Sequence, residues 1–302
     1  MSENLPPLVL DLDGSLGAME RSDLARIDLA DWQERIRFGC TERDWQAFST
    51  HLAALLPAAH GPVLMGSGDF HHVSACLIAR QRQHAGLHVV VCDNHPDNMR
   101  FPFGIHCGSW GAHVARMPHV ARVDVIGICS PDVGWTHAWE NHLWPLFRGR
   151  IRYWTIGAEL GWMRALGLRD AARNFADAAS LVCALRRELS GTRAPLYLSI
   201  DKDVLCESVA HTNWDQGRLL LDDLLAIIDA AAPRITGSDI TGEVSIHRYR
   251  TPWKRWLSAL DNQPDIAPDD LTRWQRQQIE VNQALLDAIT QKGSSASTAD
   301  SG

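Results

Sequence analysis

VVVCDNHPDN, Val89 to Asn98, begins as an apolar run and ends in charge. A run of this kind fits a strand buried on both faces. It leads directly into Asp93, His95 and Asp97, three residues able to bind metal. Side chains alternate faces along a strand, so positions 93, 95 and 97 project together if the backbone stays extended. Pro96 favours an extended conformation at His95. The segment therefore predicts two carboxylates and an imidazole aimed at one point beyond a strand end.

Composition narrows what such a point could serve. The chain has 302 residues, 45% hydrophobic and 22% charged, enough for one large α/β domain with a substantial core. A net charge of −7, with no basic run interleaved with aromatics, argues against nucleic acid as a partner. Seven scattered cysteines without a CxxC pair predict reduced thiols. MSENLPPLVLDLDG lacks a basic leader, and no stretch reaches the ~20 apolar residues of a membrane span. The expectation is a cytoplasmic protein without membrane partners.

Short apolar runs recur at 8–12, 62–66, 87–92, 122–128, 151–157, 195–200 and 234–240. Helical patterns lie between most of them, at 21–37, 42–56, 72–85, 161–189 and 216–231. This alternation predicts an α/β fold with a mostly parallel sheet covered on both faces. Residues 1–262 read as one domain, 263–290 as a C-terminal helix, and 291–302, which include KGSSASTADSG, as a disordered tail. Ligands of open parallel sheets bind beyond the carboxyl ends of the strands. Four such ends carry chemistry: GSGDFHH (66–72), DNHPD (93–97), SIDKDVL (199–205) and TGEVS (241–245). So many carboxylates in one place call for cations among them. Oxygen donors with one or two imidazoles favour Mn2+, with Fe, Co or Ni as alternatives, over a thiolate zinc site.

These four segments, in this order between residues 60 and 245, resemble the signatures of the ureohydrolase family of arginases and agmatinases. The resemblance implies a three-layer α/β/α sandwich around a mainly parallel eight-stranded sheet. It also implies two Mn2+ ions sharing a hydroxide that attacks a guanidino or formimino carbon of a small substrate, and a homo-oligomer. By the same resemblance Asp93 and Asp201 would bridge the metals. Asp97 and a histidine of GSGDFHH, His71 in preference to His72, would complete one site; His95 and Asp203 would complete the other. Asp69 would orient the ligand-bearing turn, His106 of GIHCGSW would shuttle protons near the leaving amine, and Glu243 would pair with the guanidinium.

The pattern also departs from the family's. GSGDFHH has one residue more than GGDHS, Cys206-Glu207 replace an Asp-Pro, and an extra residue precedes Glu243. The short Asn98–Ile105 loop lacks the Asn and Ser that hold an amino acid's carboxylate in arginases. AELGWMRALG (158–167) lacks a clear acidic clamp for the amino group. A standard arginase is therefore not expected. Relatives of this architecture include deacetylases, so an amide or amidine hydrolase that releases no urea is the alternative. Twelve tryptophans are many for this length. A helical reading of SPDVGWTHAWENHLWPLF (130–147) puts Trp135 and Trp139 on one face, predicted to pack in the core rather than to wall a pocket. LVLDLDGSLG (8–17) resembles the nucleophile motif of haloacid-dehalogenase-type phosphatases, which would use Asp11 and Asp13. The downstream acidic pair such an enzyme needs has no strand before it.

Overall fold

The computed structural model describes residues 5–260 and 266–299. Eleven strands form: β1 (Leu8–Asp11), β2 (Ala25–Asp28), β3 (Gly39–Thr41), β4 (Val63–Leu64), β5 (Leu87–Cys92), β6 (Gly104–His106), β7 (Val120–Ile128), β8 (Ile151–Ile156), β9 (Ala172–Phe175), β10 (Leu196–Asp201) and β11 (Ile235–Thr241). Nine of them make one sheet in the order β2-β1-β4-β11-β10-β5-β7-β8-β9. Every pairing in it is parallel. β3 and β6 pair antiparallel outside it.

The apolar runs sit where their composition puts them, in strands buried on both faces. Along β5, Leu87, Val89 and Val91 face one core layer, and Val90 and Cys92 face the other. Helices Glu42–Leu55, Ser74–Ala79 and Trp110–Val114 cover the first layer. Helices Ala178–Ser190, Leu221–Ala231 and Pro268–Ala299 cover the second. Two of the longer helices start at side-chain caps: Thr41 accepts the Asp44 amide and Asp177 the Ser180 amide.

The three-layer sandwich is present, with nine strands rather than eight. The additional strands lie inside segments expected to be helical. Within 21–37, β2 adds to the sheet edge beside β1, where Arg26 pairs with Asp11 at 2.7 Å. Only the single turn Gln33–Ile36 is α-helical there. Within 161–189, the helix that starts at Gly161 ends at Ala165. Gly167 then takes a left-handed φ of 75°, and β9 follows. Helix Pro268–Ala299 continues beyond residue 290, where a disordered tail was expected to begin. Residues 300–302 of that tail, and residues 261–265, lie outside the described residues. No helix among the described residues is long and apolar enough to cross a membrane.

Candidate metal centre and its cavity

The carboxyl ends of β4, β5, β10 and β11 lie side by side at the centre of the sheet, and the turns leaving them carry the predicted residues. Ser67 caps the turn Gly68–Val73 by accepting the Asp69 amide, and this turn delivers His71. Asp201 ends β10, and its carboxylate accepts the Asp203 amide, which folds Asp203 back beside it. Gly242, with a left-handed φ of 91°, passes so close that a Cβ would run into Asp201 and the Lys202 amide.

Two donor clusters result, one of His71, Asp93 and Asp97 and one of Asp93, His95 and Asp203. Donor atoms within each lie within 4.8 Å of one another, and Asp93 belongs to both. His71 Nδ1 is 2.9 Å from Asp93, 3.0 Å from Asp97 and 3.5 Å from Asp201. His95 Nδ1 is 2.9 Å from Asp203 and 3.4 Å from Asp93. All six expected ligands therefore converge, but not through an extended backbone. β5 ends at Cys92, and Asp97 takes a left-handed φ of 48°, a conformation that Asp tolerates better than most residues. Of the two adjacent histidines, His71 faces the carboxylates. His72 is buried against Trp45, 5.6 Å between ring centres.

The charge balance calls for cations. Asp93, Asp97, Asp201 and Asp203 are each at most 3% exposed. Burial and then the Asp93 charge push Asp97 and Asp203 up to about 7. Burial and the neighbouring Asp203 raise Asp201 well above the usual carboxylate range. Four carboxylates and two imidazoles, with no thiolate among them, suit a pair of hard or borderline divalent ions.

Residues behind the donors fix their orientation. His71 Nε2 lies 2.9 Å from Ser199 Oγ, which donates to Asp239 at 2.7 Å. Asp239 is held as well by Ser74 and Tyr197. Trp110 Nε1 donates to Asp97. Asp215 lies 2.7 Å from His95 Nε2, and its backbone carbonyl and carboxylate accept from Asn94. A carboxylate on the outer nitrogen of a metal-binding imidazole sets its tautomer and orientation. Sequence reasoning missed Asp215, which lies in a loop 12 residues past Asp203 and follows no strand. Asp69 pairs with Arg37 at 2.6 Å, consistent with a supporting place behind the turn.

A cavity of about 500 Å3 opens above the donors. His106 lines it, with its Nδ1 accepting the Gly108 amide at 2.9 Å. Phe38 meets the ring edge-on at 4.4 Å and Phe101 stacks on it at 5.3 Å. Burial lowers the imidazole pKa to about 4. The ring is thus neutral near pH 7, with its proton on Nε2.

Glu243 is not among the cavity-lining residues. Its carboxylate is buried and accepts from Lys202 and, at 2.7 Å, from Asn282 of helix Pro268–Ala299. The pairing lysine comes from the turn after β10, between Asp201 and Asp203. Trp135 and Trp139 are exposed rather than in the core. Their segment, Trp135–Glu140, is a 3-10 helix of three residues per turn, so positions four apart do not share a face. Trp139 lines the cavity. Asp11 and Asp13 do not form a nucleophile pair: Asp11 is bound by Arg26, while Asp13 is buried against Arg37 and Ser245.

No family model matches the chain. An uncharacterized protein of Thermotoga maritima is 28% identical over 237 residues, spanning 78% of this chain and 70% of its own length. Among solved structures, proclavaminate amidino hydrolase of Streptomyces clavuligerus superposes with a TM-score of 0.56 at 18% identity, covering 96% of this chain and 92% of its own. The formiminoglutamase of Trypanosoma cruzi, solved with Mn2+, gives 0.55 at 11% identity, covering 96% and 95%. The agmatine ureohydrolase of Thermoplasma volcanium gives 0.53 at 13%, covering 96% and 91%. These similarities establish the fold.

Proposed function

We propose that this chain, a protein of the ureohydrolase fold, is a dinuclear-metal hydrolase that cleaves a C–N bond of a small guanidino, formimino or amidine substrate. The observation that carries the reading is Asp93, whose carboxylate belongs to both donor clusters. The solved relatives named above are an amidino hydrolase, an agmatine ureohydrolase and a formiminoglutamase, the last with Mn2+, which supports both the reaction class and manganese as the metal.

His71, Asp93, Asp97 and Asp201 would hold one ion, and His95, Asp93, Asp201 and Asp203 would hold the other. A pair of divalent ions so held supplies Lewis acidity and water activation at neutral pH. Water adds across the bond: its oxygen joins the amidine carbon, the C–N electron pair leaves on the amine nitrogen with one of the water's protons, and the other proton ends on the imino nitrogen. His106 keeps its proton on Nε2, because Nδ1 is occupied by the Gly108 amide. From there it donates a hydrogen bond toward the leaving nitrogen. Asp215 and the Ser199–Asp239 pair keep His95 and His71 aimed at the metals.

The Lys202–Glu243 pair favours a second reading, hydrolysis of an amide or amidine without release of urea, because a guanidinium would lack the acid expected to bind it. Mn2+-loaded protein assayed separately for urea and for free amine, over a panel of guanidino, formimino and acyl compounds, distinguishes the two. Amine from the acyl compounds, with no turnover of the guanidino or formimino ones, favours the second reading. Neither product from any compound would exclude both.

A further inference from the structure

We infer that the amine half of the substrate is apolar, an arylalkyl or alkyl amine rather than an amino acid or a diamine. This rests on the hydrolase reading and specifies which compounds the site takes. Met99, Cys107, Trp139, Trp214 and Leu257 give the wall of the cavity above the donors its apolar surface. Its aromatic parts are held in place. Trp214 lies parallel to Phe38 with ring centres 6.1 Å apart and meets His95 edge-on at 5.8 Å. His106 is held by Phe38 and Phe101.

Trp139 is 71% exposed although it borders a cavity, so a substrate seated there would remove a large indole surface from water. The buried acid expected to anchor a cationic head is committed to Lys202 and Asn282. Of the charged groups on the wall, Glu140 faces His137 at 3.2 Å and Arg100 holds the Asn141 carbonyl through Nε. Asp132 and the terminal nitrogens of Arg100 are the remaining charged atoms on the wall that could meet a polar tail. Shape and surface there suit a flat or aliphatic group, which would be gripped by burial rather than by charge.

The test reads amine release from the Mn2+-loaded protein, so that it does not depend on the acyl half of the substrate. N-Benzylguanidine and N-benzylformamidine are compared with arginine and agmatine. The expected result is a kcat/KM at least about tenfold higher for a benzyl compound, the scale on which apolar pockets discriminate. Trp139→Ala raises KM for that compound by about tenfold, and Trp139→Phe restores most of it. Preference for arginine or agmatine overturns the inference and leaves the hydrolase standing. So does a benzyl KM indifferent to Trp139→Ala. No amine from any compound, with two metals bound, overturns the hydrolase reading and this inference with it.

Discussion

Lys202 and Glu243 form an ion pair in which neither side chain is more than 2% exposed. Lys202 lies between Asp201 and Asp203, and Asn282 braces it from helix Pro268–Ala299. The pair therefore ties the ligand turn after β10, the turn after β11 and a distant helix into one floor. Removing one partner of such a pair leaves the other charge buried and alone, at a cost of ~3–5 kcal/mol. Glu243→Ala should lower the melting temperature by several degrees, and the Lys202→Met/Glu243→Leu double variant should recover much of the loss. Unchanged melting with a raised KM would instead return Glu243 to the substrate.

Metal content tests the shared ligand. Wild type should bind close to two divalent ions per chain, and Asp93→Ala should lose most of both. Asp215→Asn, which weakens the partner of His95 Nε2, should reduce affinity about 10–100-fold while preserving the count at saturating metal. Asp11→Asn should leave metal content unchanged, because Asp11 is engaged with Arg26. Full occupancy in Asp93→Ala, measured after gel filtration, would contradict a dinuclear centre.

His106 is expected to act as a hydrogen-bond donor rather than as a titrating acid. His106→Ala should keep both metals and lose roughly 10²-fold or more in turnover. His106→Asn, which can donate but cannot titrate near neutrality, should recover part of that. A group that must change protonation during turnover would gain nothing from Asn.

Glu34 provides a pH-dependent element remote from the metals. Burial pushes its carboxyl up, but hydrogen bonds from Thr251, His247 and the Arg250 amide outweigh this and hold it at about 2, below its ordinary 4.5. A carboxyl depressed in the folded state adds stability above its unfolded pKa, and that stability is lost as pH falls through the folded one. Glu34→Gln should therefore melt earlier than wild type at pH 7, and the gap should narrow as pH falls from 4.5 toward 2. A gap constant down to pH 3 would show that the contribution is not from charge.

Much of this was legible in the sequence. Apolar runs bounded by helical patterns specify a parallel sheet, and DNHPD with SIDKD at two strand ends mark the donors, since both signals are local. Three features were not legible, each decided by contacts far along the chain. β2 is a strand because β1 offers an edge. Glu243 is held out of the cavity lining because Lys202 and Asn282 reach it. Asp215 supports His95 across 120 residues. The exposed tryptophans were misplaced for a different reason. Their segment winds at three residues per turn, not at the 3.6 of an α-helix.

The sheet order has a kinetic consequence. β4 and β11 are neighbours, with Val63 beside Asp239, so the centre of the sheet joins segments more than half the chain apart. His71, on the turn after β4, and Asp201, at the end of β10, meet only once those strands are aligned. Pairings that close such long loops slow folding, and chains of this size pass through partly collapsed species. Four acidic groups then converge late, against their mutual repulsion. Divalent ions present during refolding should speed that last stage, and chelators should hold the chain before it.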